Sequence, residues 1–439
     1  MSFEPIAEIA ADPASTVVYE EGWQSWSPAA LHRATELTPR PVDAVRHTMG
    51  WRPGKALPAV GFQGEGILGL AVDGLPARVW FSPDPSAAVA SIRVEASGDR
   101  LFVASDGKVD ELSCDAGLDA ALALTGDRLS AGPVASIPPG WCSWSCYFGR
   151  VTEGDVAENL AAADELSLPI QIVQVDDGWQ AGIGDWLDVD HRFGSLRRTA
   201  DRTLAAGRRP GLWTAPFLVG EQSALAQTHP DWLVADADAG WNWDQRLRVL
   251  DVTHPAAAAH LERVYRTLSG WGFTYHKLDF LYAGAVDGGR RADCSALDAY
   301  REGLRLIRLA AGAEAILLAC GAPLLPSIGL VDAMRVGPDV LPEPPGTPDL
   351  RQPLAVTRAR AWMHGRLWAN DPDCLVARPE IAEREQWAAH VGSYGGLAFS
   401  SDRLEALDER GLELTKRVLR PSSEEPRFAH SGVAGSPGR

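Results

Sequence analysis

Residues 272–280, Gly-Phe-Thr-Tyr-His-Lys-Leu-Asp-Phe, carry the reading of this chain. They spell a strand near 273–279 that ends on a carboxylate. Side chains alternate along a strand, so Lys277 and Asp279 share one face, while His276 takes the other and reads as core. Residues 330–339, Leu-Val-Asp-Ala-Met-Arg-Val-Gly-Pro-Asp, repeat the arrangement. Here a strand near 331–336 leads to Asp339, four residues after Arg335, and Pro338 keeps Gly337 out of helix, leaving Asp339 on a loop. The carboxyl ends of strands are where parallel α/β proteins place their chemistry. An ammonium beside Asp279 favours the charged carboxylate, which suits a nucleophile. Two carboxylates from different strand ends, each with its own cation, match the needs of double-displacement glycoside hydrolysis. Two structural ion pairs, Lys277–Asp279 and Arg335–Asp339, would give the same spelling.

Outward from these stretches, strands alternate with helices. Strands are expected near 140–144, 170–175, 210–217, 273–279, 315–320, 331–336, 366–370 and 395–399. Helices are expected near 153–167, 198–207, 255–270, 296–312, 350–364, 380–391 and 402–419, with too little chain after 320 for a full one. Eight such strands predict a (β/α)8 TIM barrel over 140–419, with a Trp-rich insertion at 218–254. An open doubly wound sheet would fit the alternation too, but no Gly-rich phosphate loop follows any strand. Residues 1–130 read instead as an antiparallel β-sandwich without helical periodicity. Ile92-Arg93-Val94-Glu95-Ala96 alternates, Ser97-Gly98-Asp99 turns and Leu101-Phe102-Val103 returns, while Asp73-Gly74 marks a second turn. Residues 131–139, with Gly132, Pro138 and Pro139, read as linker, and 420–439 as a disordered Pro/Ser/Gly tail.

A net charge of −17 argues against nucleic acid or an anionic membrane as partner, leaving neutral small molecules open. Sixteen Trp against seven Tyr and eleven Phe tilt the balance towards sugars, whose apolar C–H faces suit flat indoles. The start of the chain carries no basic, then apolar, signal segment, and no apolar run approaches the ~20 residues of a membrane span. The six cysteines are scattered and suit a reducing cytoplasm; Cys142 and Cys146 lack a second pair at zinc spacing. No cofactor or metal is expected.

Each strand end adds chemistry. The first carries Trp141, Trp144, Tyr147 and Phe148, and the second the adjacent carboxylates Asp176 and Asp177. Such a pair suits vicinal sugar hydroxyls, though a helix cap or a divalent metal would use it as well. Trp213, at the third strand end, walls a pocket or packs as core. Cys320-Gly321 lets a ligand approach closely. Asn370, Asp371 and Asp373 follow a turn signal and read as supporting residues.

Seven motifs in order, GWCSW (140–144), VDDGWQ (175–180), GLWTAPF (211–217), HKLDFLYAGAV (276–286), CGAPLLP (320–326), MRVGPDV (334–340) and WANDPDCL (368–375), resemble family 36 of the glycoside hydrolases, the α-galactosidases of clan D, especially compact bacterial members. The resemblance also takes in EGWQSWS (21–27). It implies Asp279 as nucleophile and Asp339 as acid/base with net retention, and Asp176 and Asp177 on the galactose O4 and O6 hydroxyls. Lys277 and Arg335 would complete the site, and Trp23 or Trp26 would reach the sugar from the β region. Substrates would be α-galactosides of the melibiose or raffinose type. Family members usually carry a C-terminal β domain, which the residues after 419 are too few to form. A relative acting on α-N-acetylgalactosamine, a transglycosylase, and a sugar-binding regulatory protein on a dead hydrolase scaffold are the other readings; the last would be expected to have lost a catalytic carboxylate. A metal-dependent barrel hydrolase lacks a His at any predicted strand end.

Overall fold

The computed structural model describes residues 2–420 except 39, 42, 341–349 and 395; the tail expected from 420 lies, beyond that residue, outside them. Antiparallel sheets come first. A four-stranded sheet runs in the order Glu4–Ala10, Arg100–Ser105, Ser91–Ser97, Phe62–Glu65, and a five-stranded one in the order Ala30–Arg33, Val17–Glu20, Ile67–Ala71, Ala77–Phe81, Asp110–Cys114. The alternation at 92–103 sets the register, with Val94 opposite Val103, Ala96 opposite Leu101 and Gly98-Asp99 as the loop. Ile92, Val94, Leu101 and Val103 are buried with Val18, Leu68, Leu70 and Trp80, while Phe102 on the other face is exposed.

The expectation of no helix before residue 130 is corrected. Ala44–Gly50 is a short helix capped by Asp43, and Leu118–Leu129 packs Leu118, Ala121, Leu122 and Leu129 inward. Ala121, Thr125 and Gly126 make up half of its inner face, which weakens the apolar contrast in the sequence. That smallness has a use: a Cβ on Gly126 would meet Arg366 Cδ at 2.9 Å and the Trp362 ring at 3.1 Å.

From Gly140 the chain forms an eight-stranded parallel sheet of TIM-barrel type, ordered Ala369–Asp371, Ala333–Arg335, Ile316–Ala319, Tyr275–Leu278, Arg209–Thr214, Ile172–Val175, Gly140–Cys142, Phe399–Ser400. A parallel bridge between Leu375 and Ser400 joins its ends, with the Gly396 and Leu397 amides donating to the Asn370 carbonyl. The strands are shorter than the runs that announce them: those expected at 140–144 and 210–217 lose their last residues to the loops above the barrel, and those at 170–175, 366–370 and 395–399 lose their first. The helix expected at 255–270 spans Pro255–Gly270, opened by Pro255 in its first turn and followed by Gly272 at φ +104°. The one expected at 350–364 is Arg351–Ala359 plus a single turn, and that at 402–419 is a single turn plus Glu409–Leu419. The insertion is a small antiparallel sheet of Leu218–Gly220, Gln245–Val249 and Trp241–Asn242. Among the described residues no helix is long and apolar enough to cross a membrane.

Candidate active site

Above the carboxyl ends of the strands lies a cavity of about 300 Å3. Barrel residues Trp144, Asp176, Asp177, Trp213, Lys277, Asp279, Phe280, Pro338 and Asp339 line it, joined by Trp26 and Met49 from the N-terminal part and Asn242 and Trp243 from the insertion. Strand alternation explains the fourth strand's share. Lys277 turns inward, whereas His276 is buried on the outer face, edge-on to Tyr265, and burial depresses its pKa to about 4.

Asp279 follows Leu278 directly, and both its oxygens have donors. Oδ1 accepts from the Phe280 amide (2.8 Å) and Oδ2 from the Trp213 indole (2.9 Å), with Lys277 Nζ 3.6 Å from Oδ2. The same ammonium lies 3.0 Å from Asp176 Oδ2. Burial alone would pull the Lys277 pKa down, but Asp176 and Asp279 outweigh it and hold it above the ordinary ammonium range. Asp176 is fixed further by Gln174 Nε2 (2.5 Å) on its carboxylate and by Ser143 Oγ accepting from its amide (2.9 Å).

Asp339 sits differently. Among the described residues, Arg335 Nη1 donates to it at 2.8 Å. The side chain keeps 42 % of its surface open, and that surface faces the cavity, whose walls limit the surrounding water. This crowding pushes its pKa up to about 6; Arg335 opposes the rise, and Asp373 and Asp279 add to it. Arg335 itself is 3 % exposed and is held by Asp373 Oδ1 (2.8 Å) and Asp371 Oδ2 (3.2 Å) as well as by Asp339. Arg335 does not itself line the cavity; its guanidinium is paired with three carboxylates, of which Asp339 does. Asp373, at φ +93°, also accepts from the Val340 amide (2.8 Å), clamping the loop that carries Asp339.

Of the two candidate indoles in Glu21–Ser27, Trp26 lines the cavity, and Trp23 does not. Trp23 is 4 % exposed beneath the Arg52 guanidinium, which stands 4.6 Å from its ring. Trp26 also packs against Gly321. A Cβ on Gly321 (φ +54°) would fall 2.8 Å from its ring, so the missing side chain lets the indole approach, and Cys320 is fully buried. Edge-to-face contacts join Trp26 to Phe280 (5.0 Å) and Trp213 to Trp243 (6.2 Å), with Trp243 on Phe280 at 5.0 Å, giving the cavity one continuous aromatic wall.

Sequence reasoning missed Asn242, Trp243, Phe280, Met49 and Pro338, and the residues that orient the acids. Asp177 takes a 2.6 Å bond from Gln180 and a 2.8 Å bond from the Trp243 indole. Gln180 stood in the VDDGWQ motif; nothing local points Trp243 at a residue 66 positions away. No cluster of three or more His, Cys, Asp or Glu among the described residues is arranged to hold a metal ion.

A profile of the Melibiase family matches residues 143–285. An α-galactosidase from Thermus thermophilus, solved with p-nitrophenyl α-D-galactopyranoside, superposes with a TM-score of 0.78 at 30 % identity, over 95 % of this chain and 87 % of that one. The chain belongs to the α-galactosidases of glycoside hydrolase family 36. Within the family, AgaA from Geobacillus stearothermophilus shares the fold at 14 % identity (TM-score 0.66), over 94 % of this chain and 61 % of that one. The bifunctional α-galactosidase/sucrose kinase AgaSK of Mediterraneibacter gnavus is 33 % identical over 100 residues, 21 % of this chain and 10 % of its own length. The match thus spans about a tenth of that relative.

Proposed function

We propose that this protein hydrolyses terminal non-reducing α-D-galactosyl residues of small oligosaccharides with net retention, Asp279 serving as nucleophile and Asp339 as general acid/base. One observation carries the reading: the two carboxylates line a single cavity in opposite settings. Asp279 is held by two N–H donors beside an ammonium, which suits attack on the anomeric carbon. Asp339, with its pKa pushed up to about 6, suits holding a proton for the leaving oxygen. In the first step an Asp279 oxygen bonds to C1, the glycosidic C–O bond breaks, and the Asp339 proton passes to the departing oxygen. In the second, Asp339 takes a proton from water, whose oxygen bonds to C1 as the ester to Asp279 breaks. Asp176 and Asp177 accept the galactose hydroxyls, and Lys277 bridges Asp176 to the nucleophile. The T. thermophilus relative's bound galactoside supports the glycone class. Six unpaired thiols support a cytoplasmic setting.

Proton NMR of the first sugar released from p-nitrophenyl α-D-galactopyranoside tests the reading. α-Galactose should appear before mutarotation; β-galactose first would overturn retention, and no release at all would overturn the activity.

A further inference from the structure

The tip of the insertion is strained, and the strain points at Asp177. Trp241 pairs with Arg246 and Asn242 with Gln245, leaving Trp243 and Asp244 as a two-residue hairpin loop. Both have positive φ, +48° and +53°. That is the mirror-image turn of tight hairpins, which Asn-Gly fills readily and a bulky side chain does not. Such outliers persist where the surroundings hold them, and they gather at ligand sites. Here the surroundings are explicit. The indole meets Trp213 at 6.2 Å and Phe280, itself at φ +51°, at 5.0 Å. Its N–H reaches Asp177 Oδ2 at 2.8 Å, while Gln180 Nε2 holds Oδ1 at 2.6 Å. At the hairpin's base a Cβ on Gly240 (φ +98°) would meet Met49 Cγ at 3.1 Å, so the helix Ala44–Gly50 backs the arm.

We propose that Trp243 is a specificity-determining residue of this pocket: its indole N–H, with Gln180, fixes the plane of the Asp177 carboxylate for galactose, and the hairpin keeps its strained turn to put the indole there. The inference rests on the reading of Asp177 as a sugar ligand. A carboxylate with a donor on each oxygen presents its acceptors in fixed directions. Without the indole N–H its plane is less firmly set, and the same oxygens then reach an equatorial hydroxyl more readily. Discrimination of galactose from glucose is lost before turnover is.

Two variants separate this from a packing role. Trp243→Phe keeps a ring and removes the N–H; Trp243→Asn puts the residue that such a turn favours at that place. Steady-state kinetics on p-nitrophenyl α-D-galactoside and α-D-glucoside are read with calorimetric binding of D-galactose and melting temperature. For Trp243→Phe, KM for the galactoside should rise about tenfold or more, as for loss of a hydrogen bond to a charged group, with kcat changed less than about threefold. The galactoside-to-glucoside ratio of kcat/KM should fall about tenfold. Trp243→Asn should show the same loss of selectivity without a lower melting temperature. If both variants keep the wild-type KM and ratio, or lose only thermal stability, the proposal is overturned while the enzyme's activity stands. A wild-type protein that neither hydrolyses the galactoside nor binds galactose overturns the parent reading, and the role of Trp243 with it.

Discussion

Arg360 and Glu21 meet at 2.8 Å with both side chains at 0 % exposure. The remaining donors of Arg360 reach the carbonyls of Gln24, Ser25 and Ser27 and that of Val336. One guanidinium thus ties the loop that carries Trp26 to the strand end that leads to Asp339. Arg360→Met leaves Glu21 as a buried charge without its cation, so stability should fall by about 3–5 kcal/mol. In urea unfolding, the double variant Glu21→Gln/Arg360→Met should lose less than the sum of the two single ones. A single variant within about 1 kcal/mol of wild type would mean that the pair is not structural.

Asp279→Asn should lower kcat by about ten-thousandfold or more, the scale seen when a covalent nucleophile is removed. Azide added to Asp279→Gly should restore turnover and give β-galactosyl azide, with inverted configuration. Activity of Asp279→Asn near that of wild type would sink the assignment.

A general acid works in its protonated form. With the Asp339 pKa at about 6, kcat/KM should hold steady on the acid side of that limb and fall tenfold per pH unit above about pH 6. The limb should vanish in Asp339→Asn, whose residual rate becomes flat across it. The pH profile checks this on a substrate with a poor leaving group; a limb unchanged in Asp339→Asn would assign the titration to another group.

Acceptors placed for an axial O4 are left unpaired by glucose, at a cost of about 1–3 kcal/mol for each buried group and more for a charged one. Preference for α-galactosides over α-glucosides should therefore exceed about a hundredfold on kcat/KM. Asp176→Ala and Asp177→Ala should each lower kcat/KM strongly. Unchanged KM and selectivity in either variant would reduce that aspartate to a structural partner.

The sequence by itself was enough for the parallel α/β alternation, the acids at the ends of the second, fourth and sixth strands, and the pairing around Gly98-Asp99. These are local signals. Alternation puts Lys277 and Asp279 on one face, and Pro338 frees Asp339 from helix, whatever lies elsewhere. The helix Pro255–Gly270 was legible for the same reason, because its stops are written beside it. Tertiary structure alone decided that Trp26 rather than Trp23 faces the cavity, that Arg335 pairs with Asp371 and Asp373 as well as Asp339, and that Trp243 holds Asp177. It also seated the helix Leu118–Leu129, where small residues take half of the inner face and Trp362 packs against Gly126. Each of these depends on a partner brought close by chain folding, as with Glu21 and Arg360, 339 positions apart. A buried polar group takes whichever partner the fold delivers, and neither period nor composition records which one that is.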